Sequence, residues 1–478
     1  MDSTRSRLTL LTVALATFMT YLDNNIVNVA IPRIQTDLHL SVPGLEWVVS
    51  AYILVFASLL LAGGRMADVW GRRRIFLVGL GIFTVASLAA GLSGSVELLV
   101  ASRAVQGLGA ALVTPTALAI ISATFTDLKE RARAVGIWAG VGGVALAVGP
   151  LLGGLISQHL SWGWIFFINV PVGVAAMALA AWVLRESRAS EVSGLDVPGL
   201  VLSAGSLFLL TYGLIEGSTL GWTSLAILGA LVGAAVLATA FVLVERRAAA
   251  PMVAVSLFRE RVFTGGIAAV MMWAFGLFGI YFFTSLYLQN VLGFSPTEAG
   301  LAFVPMALLM VVGAVLSDRV ALRFGAHRSV SFAMALMALG IGSVALLGEY
   351  ATYQQLMPSF IVIGLGGGLT TSLTASVLNS MPDDEAGVAS GIFNGAREVA
   401  GLLGITVIGA LLVARQSSAL AAGQAPAAAF LTGYRAGLLL AAALVALGAV
   451  AAYVSLRVRP DDDVAADLQI DHVPVPIG

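Results

Sequence analysis

Fourteen long apolar segments dominate this chain, and they constrain its fold more than any other feature. Each is close to the length of about 20 residues that a helix needs to cross the hydrocarbon core of a bilayer. Only 11% of the 478 residues are charged, too few to cover a water-facing surface. Backbone groups exposed to lipid must find partners within their own segment, so every span is predicted to be helical. The predicted fold class is an all-α polytopic membrane protein.

The apolar segments divide the chain into spans with short polar connections. The predicted spans are residues 9–31, 45–64, 75–94, 98–121, 134–157, 164–184, 197–216, 224–244, 262–290, 298–317, 329–348, 355–380, 387–413 and 434–456. The first segment follows Arg5 and Arg7, as a signal peptide would, but it continues through Asp23 to Ile31 without a small-residue cleavage site. We therefore expect a retained first helix.

Basic residues distinguish the two membrane faces. With these spans, 20 of the 25 Lys and Arg residues fall on the face that holds both ends of the chain. The other five are Arg33, Arg415 and Arg435 on the opposite face and Arg103 and Arg397 within spans. Because Lys and Arg are retained in cytoplasmic loops, both termini are predicted to be cytoplasmic. The most basic loop is Gly63–Arg74, GGRMADVWGRRR, which carries four arginines and Asp68.

The chain contains an internal repeat. Residues 99–112, LVASRAVQGLGAAL, align with residues 356–369, LMPSFIVIGLGGGL, and the helix after each segment repeats as well. The first six and last six spans are therefore predicted to be parallel copies of one unit, as in transporters with a central site between the copies. The predicted divisions are an N-terminal half at 1–190, an inserted helix pair at 191–261, a C-terminal half at 262–458 and a polar cytoplasmic tail at 459–478.

Composition argues against several function classes. The chain has no Cys, which excludes a disulfide framework and a thiolate metal site. Its four histidines lie in or beside predicted loops or in the tail, which disfavours a His base or a His-ligated metal within the membrane. The sequence indicates no set of residues that could form a nucleophile–base pair or a metal site. We therefore predict that the protein is not an enzyme, has no cofactor and has no nucleic-acid partner.

Five motifs, in order along the chain, resemble those of the major facilitator superfamily and of its fourteen-helix drug:proton antiporter branch. They are the loop with Gly64, Asp68, Gly71, Arg72, Arg73 and Arg74; Leu22–Pro32 with Asp23; Ala101–Ala111 with Arg103, Gln106 and Gly107; Gly140–Gly154 with Gly149 and Pro150, associated with antiporters; and Trp162–Gly173 with Asn169 and Pro171. Gly163 stands where the family usually has Arg, which weakens the expectation of a charged contact there.

The resemblance implies a major facilitator fold of two six-helix repeats plus an inserted helix pair. It also implies alternating-access export of hydrophobic or amphipathic drugs, antibiotics or related small molecules, driven by the proton gradient. The expected location is the plasma membrane, with the lipid bilayer, protons and a small-molecule substrate as partners of a functional monomer. A proton symporter or facilitator for a metabolite, with the same fold, is the alternative.

Four charged residues within spans are the proton-coupling candidates: Asp23, Arg103, Arg397 and Glu398. An ionisable side chain at membrane depth is costly unless it faces water or a charged partner. Asp23 is interpreted as a protonatable acid, with a structural hydrogen-bonding acid as the alternative. The resemblance gives Arg103 a role in proton transfer, the alternative being a static counter-ion. Glu398 is a candidate second proton or cation site, or else a partner of a neighbouring Arg.

The substrate-binding candidates combine aromatic and polar side chains. One face of the ninth helix carries aromatic residues with Ser and Gln, which would suit an amphipathic aromatic compound, although an aromatic stripe that faces lipid is the commoner explanation. The candidates are Asn24, Gln106, Phe278, Tyr281, Phe282, Ser285, Gln289 and Asn394. Glu46 and Glu216, near the external ends of their spans, are expected to lie at the membrane interface.

The gating candidates lie in the basic loop and in the fifth helix. They are Gly64, Asp68, Gly71, Arg72, Gly149 and Pro150. The repeat puts Asp68 near the start of the thirteenth helix, Glu385–Gly387, whose positive dipole end would face it. We hypothesise a cytoplasmic latch that is closed in the outward-open state. Glycines and Pro150 make the fifth helix a hinge or seal, or simply allow close small-residue packing.

Overall fold

The computed structural model describes residues 3–189, 196–248, 251–381 and 386–457, and the regular secondary structure of this part of the chain is helical, without a strand. The helices are α1 (Ser3–Leu38), α2 (Val42–Trp70), α3 (Arg72–Gly91), α4 (Val96–Thr124), α5 (Leu128–His159), α6 (Trp164–Phe167), α7 (Asn169–Val183), α8 (Val197–Leu220), α9 (Leu225–Glu245), α10 (Arg261–Leu286), α11 (Pro296–Phe324), α12 (Ala326–Ala345), α13 (Tyr353–Leu369), α14 (Ser372–Leu378), α15 (Ala386–Ala421) and α16 (Pro426–Ser455).

These helices form fourteen membrane spans within the described residues, which confirms the predicted number and fold class. The sixth span is α6 with α7, the ninth is α10 continued by a π-helical turn at Tyr287–Val291, and the twelfth is α13 with α14. The helices extend beyond the predicted spans, since α1 alone has 36 residues. The predicted tail and the boundary near residue 190 lie outside the described residues.

Repeated glycines explain why the two copies share one sequence pattern. A Cβ atom on Gly107 of α4 would collide with the backbone oxygen of Tyr52 in α2, and one on Gly364 of α13 would collide with that of Met306 in α11. These paired positions let the second and fourth helix of each copy approach to backbone contact. The repeat therefore encodes equivalent helix contacts in both halves.

The basic loop and its counterpart use the same one-residue turn. Gly71 separates α2 from α3 with φ +108°, and Gly325 separates α11 from α12 with φ +83°. Positive φ is strained for residues with a Cβ atom, so both turns need glycine. The Glu186 carboxylate accepts hydrogen bonds from the backbone N–H groups of Arg73 and Arg74 at 3.1 and 3.3 Å. This places a negative charge at the positive end of α3.

The twelfth span is broken where the sequence predicted a continuous helix. Thr370 and Thr371 donate to the carbonyl oxygens of Gly367 and Gly368 at 2.5 and 2.7 Å. Ser317 of α11 donates to the carbonyl oxygen at the end of α13 and accepts from the first N–H group of α14, at 2.6 and 2.8 Å. Hydroxyl groups thus satisfy the backbone groups that the break releases.

The inserted helices lie at the edge of the bundle. α8 packs on α9 and also contacts α2 of the N-terminal half and α15 of the C-terminal half. The two halves meet directly through the contacts of α5 with α11 and of α2 with α15. Thus α8 covers one of the two lateral seams between the halves, whereas α9 faces mostly outward.

We expect Gly107→Leu to lower the free energy of unfolding by about 1–3 kcal/mol, because the added side chain must displace the α2 backbone. The apparent melting temperature in detergent, measured by size-exclusion chromatography after heating, checks this. Gly229→Leu in α9 is the matched control, since no atom lies within 4 Å of a Cβ at that position. An equal loss of stability in both variants would contradict the helix-contact explanation.

Candidate functional site

The space between the halves is open at one end of the bundle and closed at the other. We call the end at which α1 begins and α2 ends the terminal face, and the other end the opposite face. Near the terminal face, Gly136, Gly140 and Gly395 have no atom within 4 Å of a Cβ position, so α5 and α15 border open space. The structure therefore presents a cavity that is accessible from the terminal face.

Close backbone contacts seal the opposite face. A Cβ atom on Gly154 of α5 would collide with the carbonyl oxygen of Pro296, and one on Gly300 of α11 would collide with that of Pro150. Gly149 packs on Asn25 of α1, whose Cβ atom lies 2.9 Å from the Cβ position of the glycine. The predicted gating pair Gly149 and Pro150 thus lies within the closed seam, where small residues allow α5 to touch both α1 and α11.

Two parts of the cavity adjoin each other. The outer part, the vestibule, has a volume of about 1700 Å³ including its open mouth, and its walls include Gly64, Asp68 and Pro115. The inner part, the inner chamber, measures about 700 Å³ and lies deeper. Arg397 and Glu398 line both parts. These two charged side chains therefore lie where the vestibule and the inner chamber adjoin.

Asp23 and Arg103 form an ion pair inside the N-terminal half. Arg103 Nη1 lies 2.5 Å from Asp23 Oδ2, and both side chains are fully buried. Asp23 Oδ1 accepts hydrogen bonds from Gln106 at 3.1 Å and from Asn169 at 2.7 Å. Asn169 is the first residue of α7, so the break in the sixth span points its amide at the carboxylate. Three helices, α1, α4 and α7, thus meet at one carboxyl group.

The Arg103 guanidinium contacts several groups, but not all of its hydrogen-bond donors have a partner. It donates to the Val48 carbonyl oxygen at 3.2 Å and to Gln106 Oε1 at 2.9 Å. Its carbon atom lies 4.5 Å from the ring centre of Tyr52 and 5.7 Å from that of Phe166, within cation–π range. Its Nη2 atom is buried without a hydrogen-bond partner. The pair therefore has a fixed position together with one unused donor.

The second charged pair borders the cavity. Arg397 Nη2 lies 2.9 Å from Glu398 Oε1, so the predicted neighbour ion pair is present in α15. Arg397 also faces the hydroxyl group of Tyr21 in α1, across the boundary between the halves. Asn394, one turn away, donates to the Ser390 carbonyl oxygen at 2.9 Å and lines the vestibule. This pair is accessible to a molecule in the cavity, in contrast to the enclosed pair in the N-terminal half.

Several of the predicted substrate residues line the cavity. Asn24, Phe278 and Tyr281 border the inner chamber, and Asn394 borders the vestibule. Gln106 instead lies beside Asp23 with no exposed surface. The structure thus brings together residues from α1, α10 and α15 that are far apart in sequence.

Three further candidates on α10 lie away from the described cavity walls. Phe282 is fully buried and packs edge-on against Phe283, with 4.8 Å between ring centres. Gln289 donates to Ser285 Oγ at 3.3 Å and to the Val29 carbonyl oxygen at 2.9 Å, which joins α1 to the end of α10. In this conformation these polar atoms hold the seam near the opposite face together.

The basic loop borders the mouth of the vestibule. Asp68 Oδ1 pairs with Arg72 Nη2 at 2.8 Å. The backbone carbonyl oxygen of Asp68 accepts a hydrogen bond from the Ala189 N–H group at 3.3 Å. Gly64 and Asp68 line the vestibule. Residues 382–385, which include the predicted partner position Glu385, lie outside the described residues. The Asp68 carboxylate is thus engaged within its own loop.

Sequence reasoning selected Tyr281 but not Trp273, the second of two donors at the inner chamber. Trp273 Nε1 and Tyr281 Oη are both buried without a hydrogen-bond partner, and both residues line this chamber. Glu46 was expected at the membrane interface; its side chain is only 1% exposed, so it is enclosed by protein. The packing of α8 and α15 against α2 covers it, and such tertiary burial has no signal in the local sequence. No group of three or more potential metal ligands occurs within the described residues.

Comparison with known proteins gives the family. The sequence matches the Major Facilitator Superfamily over residues 13–405. The chain belongs to this superfamily. It is 39% identical to the tetracenomycin C resistance and export protein of Streptomyces glaucescens over 85% of this chain and 76% of the relative. It is 35% identical to a puromycin resistance protein of Streptomyces alboniger over 95% and 92% of the two chains.

Solved structures support the same fold. A bacterial homologue of the human lysosomal transporter Spinster aligns over 96% of this chain and 100% of its own, with TM-score 0.68 and 16% identity. A transporter of the POT family aligns over 95% and 99% of the two chains, with TM-score 0.68 and 16% identity. Family membership makes this superfamily chain a multi-pass membrane transporter rather than an enzyme, as predicted.

We expect Arg103→Leu to lower the free energy of unfolding by about 3–5 kcal/mol, because it leaves the buried Asp23 carboxylate without a counter-charge. The double variant Asp23→Asn with Arg103→Leu should recover much of this loss, since no buried charge remains. Melting temperatures in detergent test both expectations. A double variant no more stable than Arg103→Leu alone would show that charge compensation is not what the pair provides.

Proposed function

We propose that this superfamily member is a proton-coupled antiporter that exports hydrophobic or amphipathic small molecules, antibiotics among them. One observation carries the proposal: a fully buried Asp–Arg pair lies beside a cavity lined by aromatic, amide and charged side chains. The names of its relatives support the cargo class, because they describe resistance to, or export of, antibiotics. No cofactor is needed, since the proton gradient supplies the energy.

We assign the terminal face to the cytoplasm because most basic residues lie there. On this assignment both termini are cytoplasmic, and the structure corresponds to an inward-open state sealed toward the outside. Cargo would enter the vestibule from the cytoplasm and reach the inner chamber. Export then requires the seam at α5 and α11 to open while the vestibule closes.

The Asp23–Arg103 pair suggests how a proton could drive this exchange. In the inward-open state the carboxylate compensates a buried guanidinium. A proton on Asp23 would leave the Arg103 charge uncompensated in the same position, which is costly in a medium of low polarity. The proton-free form therefore stabilises the inward-open state, and the proton binds from outside when the protein is outward-open. Differential stability of this kind is what couples an ion to a conformational equilibrium.

The Arg397–Glu398 pair gives the cavity a second charged element. Because Glu398 lines the cavity, its protonation can respond to cargo directly. Arg397 faces Tyr21 of the N-terminal half, so a change in this pair also alters a contact between the halves. We assign Glu398 as a second proton-responsive acid and Arg397 as its partner, with Asp23 as the main coupling acid.

The lining of the inner chamber favours flat molecules that carry oxygen acceptors. Phe278 and Tyr281 offer ring surfaces, and Trp273 and Tyr281 hold unused donors. Asn24 adds an amide, and Arg397 and Glu398 add both signs of charge. Aromatic surface with a few polar groups suits an amphipathic aromatic compound better than a sugar or an amino acid.

Transport in inside-out vesicles tests the proposal. With an acidic lumen, vesicles that hold the protein should accumulate ethidium, puromycin or tetracenomycin C, and collapse of the pH gradient should release it. Asp23→Asn should reduce gradient-driven accumulation to the level of vesicles without the protein at every pH, because no proton can bind at the main coupling acid. Glu398→Gln should change the pH dependence or the range of compounds.

Asp37→Asn is the matched control for these variants. Asp37 lies on the same helix as Asp23 but is exposed, and its 3.8 Å contact with Arg33 is a surface pair. The Asp37→Asn variant should transport as the parent does. Parent-level accumulation by Asp23→Asn, or accumulation driven by a gradient of the reverse sign, would refute the antiport assignment and favour a symporter.

Asp68 supplies a separate test of the latch hypothesis. In the inward-open state its carboxylate pairs within the loop, which leaves the vestibule mouth open. If Asp68 holds the mouth closed in the outward-open state, Asp68→Asn should increase labelling of a single cysteine at Ser390 in the vestibule. Glu130→Gln, an exposed acid on the same face, is the control. Equal labelling in all three proteins would count against the latch.

A further inference from the structure

A buried carboxyl group outside the central cavity carries this inference. Glu46 lies in the first turns of α2 near the opposite face and is 1% exposed. Its Oε2 atom is buried without a hydrogen-bond partner, and the residue takes part in none of the ion pairs within the described residues. An ionised carboxylate without a partner is very costly in such a place, so this burial favours the neutral form of the group.

Three helices enclose this carboxyl group. α15 presents Gly409, and a Cβ atom at that position would collide with the carboxyl atoms of Glu46. α8 presents Glu216, the titratable group that faces Glu46. The next residue of α2, Trp47, donates its indole N–H to Glu216 Oε1 at 2.8 Å. A neighbouring acid without an intervening cation makes a negative charge on Glu46 still less favourable.

The enclosure exists only while the opposite face is closed. Gly409 belongs to the C-terminal half and Glu46 to the N-terminal half, and α2 meets α15 along the seam. Opening this face must move α15 away from α2, which exposes the carboxyl group to water. Glu46 is therefore buried and neutral in one state, and hydrated and free to ionise in the other.

We propose that Glu46, with Glu216 and Gly409 around it, is a proton-binding lock of the opposite-face gate. With its proton bound, the carboxyl group can be buried against Gly409 and the gate closes. Without the proton, closure would bury an uncompensated charge, and the open state is favoured. The inference rests on the proposed function only for the existence of the two states.

The proton at Glu46 differs from one that drives transport. It binds when the opposite face is open and stays enclosed while that face is closed, and it returns to the same side on reopening. It contributes nothing to the net number of protons moved per cargo. Its effect is to make gate closure depend on the pH of the opposite compartment.

The lock also gives the inserted helices a role. α8 contacts both α2 and α15, and its Glu216 engages Trp47 beside the lock. It thereby covers the seam from the lipid side and supplies the second acid. A bundle that lacked α8 would leave Glu46 nearer the lipid headgroups and water, where burial would not depend on the gate.

Spin-label distance measurements test the lock in the full-length protein. Because the chain has no cysteine, Ser41→Cys and Ala421→Cys place labels at exposed positions beside the opposite-face ends of α2 and α15. In detergent without cargo, the parent should show mainly the short distance at pH 5.5 and a larger long-distance fraction at pH 8.5. Glu46→Gln should lose the increase in the long-distance fraction between pH 5.5 and pH 8.5, because its side chain cannot ionise and a response from Asp23 has the opposite sign.

Two controls separate the lock from other titrating groups. Glu97→Gln neutralises an exposed acid on the same face and should respond to pH as the parent does. Asp23→Asn should also retain a pH response if Glu46 controls the gate. A long-distance fraction that still rises with pH in Glu46→Gln, or that does not rise with pH in the parent, overturns the lock. Vesicle transport that fails while the Glu46-dependent response persists refutes the antiport proposal alone.

Discussion

The Asp23–Arg103 ion pair is the interaction on which the N-terminal half depends most. A buried pair of charges is stable only when good geometry and further hydrogen bonds offset desolvation. Here Gln106 and Asn169 complete the carboxylate, while a backbone carbonyl and two rings hold the guanidinium. Because these groups come from α1, α2, α4, α6 and α7, the charge state of one carboxyl group bears on the position of five helices.

In the C-terminal half, an aromatic residue occupies the position equivalent to Arg103. Phe360 occupies the repeat position of Arg103, is fully buried and stacks on Phe303 with 5.3 Å between ring centres. Phe303 in turn stacks on Tyr281 of the inner chamber at 5.1 Å. Equivalent helix positions thus hold an ion pair in one half and an aromatic stack in the other. This division places the enclosed charge chemistry and the aromatic cavity wall on opposite sides of one cavity.

The sequence was sufficient for the features that depend on local composition. Apolar length predicted fourteen spans, and the glycines of the repeat lie at equivalent helix contacts. Side-chain environments were harder to predict where several helices surround a residue. α10 packs on α15 and α16 and also contacts α1, so periodicity could not separate the cavity face with Tyr281 from the buried face with Phe282. The burial of Glu46 likewise depends on α8 and α15, which come from other parts of the chain.

The glycine-rich helix α5 explains why the sequence did not predict which face of the bundle is closed. Along α5, Gly149 and Gly154 touch other helices, while Gly136 and Gly140 face open space. Glycines at both ends permit close approach at either face, so the sequence allows both gates and specifies neither. What selects a state must be a group whose free energy differs between them. In the proposed mechanism Asp23 and Glu46 meet that requirement, because the cost of a negative charge on each depends on which end is closed.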